Sequence, residues 1–196
     1  MKKMIQIFGA IFLFYNICFA QDISFKQFNS RRNQINQYAM IVLGSWAVGN
    51  MAVNGALYRS AEKDQKYFYQ MNVAWNAVNL AIAGFGMYGA LNSKTNLTVF
   101  DSIRQQANIE KILLFNAGLD VGYIMTGLYL KERAKNSLKH YDRLKGYGNS
   151  LMLQGGFLLL FDITVHFIHA ANHELMKKLL DHIRFASTSI GVSLNF

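Results

Sequence analysis

Late in the chain lies the run FDITVHFIHAANHE, residues 161–174, in which Asp162, His166, His169 and His173 recur every three or four positions. At 3.6 residues per turn of α-helix this spacing gathers all four within an arc of about 60°. A carboxylate and imidazoles on one stripe are ligand types suited to zinc, iron or manganese, and the same groups can hold or relay a proton. One helix alone rarely completes a coordination sphere, so a second must contribute, and FNAGLDVG (115–122) offers Asn116 and Asp120. The candidate metal set is therefore Asp120, Asp162, His166 and His169, with a divalent ion as the cofactor. Haem would need axial histidines on opposite helices, yet the histidines within apolar segments all fall in this one run, which leaves single-histidine ligation or a dimer.

Other chemistries find less support. A hydroxyl nucleophile needs a base beside it, but Thr164 points roughly 160° away from His166 around a helix, and Ser150 lies at the opposite end of its apolar segment from the histidines. GYGNSLMLQGG (146–156) is glycine-rich but lacks the lysine of a phosphate loop and follows no strand. No catalytic residue is assigned, and no enzyme activity is expected.

The elements that must carry the stripe are apolar. Hydrophobic residues make up 52% of the 196, charged residues only 16%, and the mean hydropathy is +0.12. Soluble domains carry about 25% charged residues, so this composition leans toward a membrane. There is no proline to break a helix. Four segments, 38–58, 71–91, 112–130 and 151–171, each approach the roughly 20 residues that cross a hydrocarbon core. A soluble four-helix bundle would need charge on its exposed faces, whereas the first two segments hold no Asp, Glu, Lys, Arg or His.

Ahead of them, MKKMIQIFGAIFLFYNICFA has two lysines, an apolar run and small residues three apart before Gln21, the layout of a cleavable signal peptide over residues 1–20. Cleavage after Ala20 removes Cys18, the only cysteine, and with it thiolate ligands and nucleophiles. The residues before Cys18, YNI, do not form a lipidation box. The domain is then 21–196. Its net charge of +9 arises from Lys and Arg between the apolar segments, not from one basic face, so a nucleic-acid partner is not expected. The loop 131–146 holds six Lys or Arg in sixteen residues, against three in twenty over 92–111. By the positive-inside bias the basic loop faces the cytoplasm, which agrees with the signal layout and puts both mature termini in the periplasm of a bacterial inner membrane. Beyond residue 172, ELMKKLLDHIRF spaces Leu175, Leu179 and Ile183 opposite Lys177, Lys178 and Asp181, as a separate short amphipathic helix on the membrane surface would. The last residues, GVSLNF, alternate like a strand without partners.

Each segment also carries one polar seam. Trp46, Asn50 and Asn54 share a face, as do Asn72, Asn76, Asn79, Ala83 and Gly86, and Asn116, Asp120, Gly127 and Lys131. Unpaired polar groups in hydrocarbon are costly, so the seams should face one another along the bundle axis. Depth would grade them, with Asn54, Asn72 and Asn76 on the cytoplasmic side, Asp120 and Asp162 near the middle, and Asn116, His166 and His169 in the outer half. No Lys or Arg reaches the middle, so the two aspartates must hold a proton, meet an imidazolium or bind a cation. Small residues should set the close contacts, with Gly118 and Gly122 letting a neighbour approach beside Asp120, and Ser45/Gly49, Ala52/Ala56 and Gly86/Ala90 repeating the spacing.

INQYAMIVLGSWAVGNMAV, YFYQMNVAWNAVNLAIAGFGMYG, FNAGLDVGYIMTGLYL and KGYGNSLMLQGGFLLLFDITVHFIH together resemble a family of uncharacterised small membrane proteins typical of Bacteroidota, a domain of unknown function. The resemblance covers residues 35–170. It implies a four-helix membrane fold and a Gram-negative source, and it implies no activity. The expected protein is an all-α, four-helix transmembrane bundle whose polar interior serves a scaffold or partner-binding role. The alternative is a metal-binding or proton-conducting protein using the Asp/His stripe, with a haem protein behind it. The partners expected are the lipid bilayer and either another membrane protein or a second copy.

Overall fold

A computed structural model describes residues 25–192, with side chains described as far as 177. The signal segment, Cys18 and the last four residues lie outside the described residues, as do the side chains of Lys178, Leu179, Asp181 and Ile183. Four helices account for nearly all the rest: α1 (Phe25–Tyr58), α2 (Lys63–Leu91), α3 (Val99–Lys135) and α4 (Tyr141–Val192). The connections 59–62, 92–98 and 136–140 are short, which forces successive helices to run antiparallel.

Local signals explain where the helices stop. Thr98 caps α3, its Oγ1 accepting from the Asp101 amide at 3.1 Å and donating to Asp101 Oδ2 at 2.8 Å. Asn92 closes α2 by giving both its backbone N–H (3.1 Å) and its Nδ2 (2.8 Å) to the Tyr88 carbonyl. Elsewhere the absence of proline lets the helices continue well past the apolar segments. α1 begins thirteen residues before position 38, and α3 thirteen before 112. The short separate C-terminal helix is corrected too: α4 is one helix of 52 residues, because nothing between 171 and 175 offers a cap or a break.

α3 packs chiefly on α4 and α1 on α2, while α2 also packs on α4 and joins the two pairs. Glycines set the tightest of these contacts. A Cβ added at Gly127 would lie 2.6 Å from the Gly148 carbonyl oxygen, and one at Gly148 would lie 2.7 Å from the Gly127 oxygen, so the α3 and α4 backbones nearly touch there. Gly155 meets the Asp120 carbonyl in the same way at 2.9 Å. Gly146 admits α2, where an added Cβ would sit 2.7 Å from Tyr67 Cβ, beside the 3.2 Å ion pair of Lys145 with Asp64. The expected role of Gly118 and Gly122 is corrected, since nothing approaches either within 4 Å. Ala52 and Ala56 are exposed and Gly49 has no neighbour, whereas Gly86 faces Met40, Ala90 is buried and Gly44 meets Ala83 at 3.6 Å.

The distribution of polarity is inverted relative to a soluble bundle. Asn72, Asn76 and Gln154 are completely buried, while Phe85 is 80% exposed and Phe115, Leu160 and Phe167 are similarly bare. The apolar interior is small, a cluster of Ala39, Leu113 and Val165 with Met40, Ile109 and Phe161 around it. Among the described residues, three helices are long and apolar enough to cross a membrane: α1, α3 and α4 over Tyr141–Lys177. α2 falls outside that group because three asparagines, Asn72, Asn76 and Asn79, interrupt its apolar run, and all three are buried.

Candidate functional site

The interior polar side chains form three layers. In the first, Trp46 of α1 donates Nε1–H to Gln154 Oε1 of α4 at 3.0 Å, and Gln154 Nε2 donates to Asn72 Oδ1 of α2 at 2.5 Å. A single glutamine thus ties three helices together. The Trp46 ring also stacks on Phe157, with centroids 3.8 Å apart and planes 3° from parallel. The seam asparagines behave differently from a row of interhelical bonds. Asn50 donates to the Trp46 carbonyl (2.9 Å), Asn54 to that of Asn50 (2.7 Å) and Asn76 to that of Asn72 (2.8 Å), each one turn back on its own helix. Each of these amide donors is thereby satisfied within its own helix. Asn79 reaches Asn76 Oδ1 at 3.5 Å.

The second layer holds Asp120 of α3 and Asp162 of α4, 2% and 6% exposed, on two helices that pack against each other. Asp120 Oδ2 is buried without a partner, and so is Nδ1 of His166, one turn beyond Asp162 on α4. Asn116 is half-buried, four residues before Asp120 on α3.

The third layer is the largest. His169 Nε2–H donates to Asn36 Oδ1 of α1 at 3.0 Å, which leaves Nδ1 as an acceptor 3.4 Å from Gln106 Nε2 of α3. Gln106 Nε2 also donates to the His169 carbonyl (2.7 Å) and to Glu110 Oε1 (2.9 Å). His173 Nδ1 lies 3.1 and 3.2 Å from the two Glu110 oxygens, and Asn172 Nδ2 reaches Gln106 Oε1 at 3.4 Å. Beyond it, Arg32 is buried with Nη1 on Asn29 Oδ1 (2.8 Å) and Nη2 on Asn33 Oδ1 (3.3 Å). Asn29 Nδ2 then holds Ser102 Oγ (2.8 Å) and the Thr95 carbonyl (3.1 Å), and Asn33 Nδ2 holds the Ser93 carbonyl (3.0 Å). The α2–α3 connection is pinned to α1 by these bonds.

The sequence stripe is therefore divided among partners. His169 meets amides and His173 meets Glu110, while Asp162 lies buried two turns before His169. Residues seven apart on a helix are about 10 Å apart along its axis, so Asp162 and His169 share a face without sharing a centre. Among the described residues no group of three or more His, Cys, Asp or Glu could hold a metal ion. Several interior residues were not singled out by the sequence reading. Gln106 and Glu110 precede the third apolar segment. Gln154 lies about 80° off the Asp162 stripe. Asn29, Arg32, Asn33 and Asn36 precede the first segment, and the spacing of Asn29 and Asn36 three or four residues from Arg32 and Asn33 is the signal that finds them.

No curated protein and no solved structure matches the chain. One family does, over residues 42–163, a range that takes in Trp46, Asn72, Asp120, Gln154 and Asp162 but not His166 or His169. With well over half its length matched, the chain belongs to the family of unknown function DUF6992.

Proposed function

We propose that this chain is an integral membrane protein that crosses the bilayer with all four helices and serves as a scaffold or partner-binding bundle. The observation that carries this is the inverted polarity, with amides fully buried and phenylalanines bare. Hydrocarbon is the solvent that suits such a molecule, since most interior polar groups find their partners inside and the bare faces of the helices are aliphatic and aromatic. α2 fits the same environment, because its asparagines are interior and its outer face presents Val78, Leu80, Ile82 and Phe85. The bonding of His169 supports a structural role for the outer layer, because both ring nitrogens face amide groups. The basic stretch 131–146, which takes in the end of α3 and the start of α4, supports a cytoplasmic position for that end, and with it periplasmic termini in a bacterial inner membrane.

Topology is tested by cysteine labelling in a Cys18→Ser background, with a reagent that enters only the periplasm. Asn96→Cys, on the exposed α2–α3 connection, should react in intact cells, and Leu138→Cys, fully exposed on the α3–α4 connection, should react only after lysis. The opposite pattern would invert the bundle. Reaction of both in intact cells would remove the crossings by α3. Recovery of the protein in the soluble fraction would end the membrane reading.

A further inference from the structure

The apolar segment of α1 ends at Tyr58, and that of α2 begins just after Gln70, so the two stop together beside the α1–α2 connection. A groove of about 190 Å³ opens on the outside of the bundle there, lined by Gly55 and Tyr58 of α1 and by Gln70 and Val73 of α2. Its membrane side, between Gly55 and Val73, is apolar, and nothing lies within 4 Å of a Cβ placed on Gly55. Its mouth is polar. Gln70 takes the Tyr147 hydroxyl on Oε1 at 3.4 Å, which leaves its amide N–H groups for an acceptor from outside. Lys66 holds Nζ 5.6 Å from the centroid of the Tyr58 ring, which keeps an ammonium at the same mouth.

The charge at this mouth is uncompensated. Arg59, Lys63 and Lys66 are all exposed, and among the described residues none of them is paired with a carboxylate. Of the two acids on the same stretch, Asp64 is taken by Lys145 of α4 at 3.2 Å, and only Glu62 remains. Three cations therefore face one free carboxylate at the level where the apolar surface stops. Such a groove is complementary to an acyl chain that carries a negatively charged headgroup. Anionic lipids of the cytoplasmic leaflet are attracted to basic segments beside a transmembrane helix, and tyrosine favours the same depth.

We propose that this groove binds an anionic phospholipid of the cytoplasmic leaflet, with one acyl chain along Gly55 and Val73 and the phosphate within reach of Arg59, Lys66 and Gln70. The site rests on the membrane reading above, with this end of the bundle facing the cytoplasm.

Native mass spectrometry tests it on the chain purified from membranes in a nonionic detergent. Recovery of the chain without detergent would count against the membrane reading and not against the site. Phosphatidylglycerol and phosphatidylcholine with the same acyl chains are added separately, and phosphatidylglycerol should bind the more tightly, one molecule per chain. Lys66→Gln should weaken that binding about fivefold, and Arg59→Gln/Lys66→Gln should bring it to the level of phosphatidylcholine. Gly55→Leu fills the groove from a position with open space, and should abolish the tight binding without lowering the unfolding temperature. Lys135→Gln/Lys139→Gln, on the other basic end of the chain's helices, should leave it unchanged. Equal affinity of the native chain for the two lipids overturns the proposal, and this comparison decides even where a variant does not fold. Undiminished phosphatidylglycerol binding by folded Gly55→Leu also overturns it, as does an equal loss in Lys135→Gln/Lys139→Gln, which would make the effect one of overall charge. A native dimer that Gly55→Leu dissociates would give the groove to a second copy and overturn it too.

Discussion

Each of the three embedded histidines has a different surrounding, and the differences are measurable. His169 occupies both ring nitrogens, so His169→Ala leaves Asn36 Oδ1 unpartnered and opens a cavity in the most heavily bonded layer. An unsatisfied buried group costs about 1–3 kcal/mol, and lost packing adds to it. Thermal unfolding in detergent should show a clear drop for His169→Ala. His166→Ala removes a nitrogen that has no partner and should change stability by less than half as much, as should Phe167→Ala on the bare face. Equal losses for His166→Ala and His169→Ala would mean that the stripe acts as one unit. The stripe itself was legible, because spacing alone puts Asp162, His166, His169 and His173 on one face. Their partners were not. Which residue of α1 or α3 stands opposite depends on helix register and length, and α1 and α3 both begin far ahead of their apolar segments. Asn36, Gln106 and Glu110 lie in those extensions, where hydropathy gives no reason to look.

At the scale of helices, the four apolar segments read from the sequence each fall within one of the four helices and carry a polar seam. The sequence did not disclose which small residues mark a contact. Gly118 and Gly122 have the favoured spacing yet open outward, whereas Gly127, Gly148 and Gly155 carry the α3–α4 approach. Lipid tolerates a small residue as readily as a neighbouring backbone does, so spacing cannot tell the two apart. Substitution can. Gly127→Val would drive side-chain atoms into the Gly148 carbonyl and should destabilise the bundle by about 1–3 kcal/mol, the range for overpacking, or prevent folding. Gly118→Val and Gly122→Val, with empty space around both positions, should leave the unfolding temperature within a degree or two of wild type for so small a ΔΔG. Destabilisation by Gly118→Val as large as that by Gly127→Val would place an unseen neighbour on that face.

The whole molecule is a bundle turned inside out. Its interior is held by amides, carboxyls and histidines, its exterior is aliphatic and aromatic, and α2 belongs to it although its asparagines lower its hydropathy. This distribution rests on the surface facing hydrocarbon, and electron paramagnetic resonance tests that most directly. Nitroxide labels are attached at Phe85, Phe115 and Phe167 in a Cys18→Ser background, and the protein is reconstituted in lipid. All three labels should relax with oxygen, which dissolves in the bilayer, and resist a water-soluble nickel chelate. A label at Lys94, on the exposed α2–α3 connection, should respond in the opposite sense. Strong relaxation of the Phe85, Phe115 and Phe167 labels by the nickel chelate would put those faces in water, and the membrane bundle would be wrong.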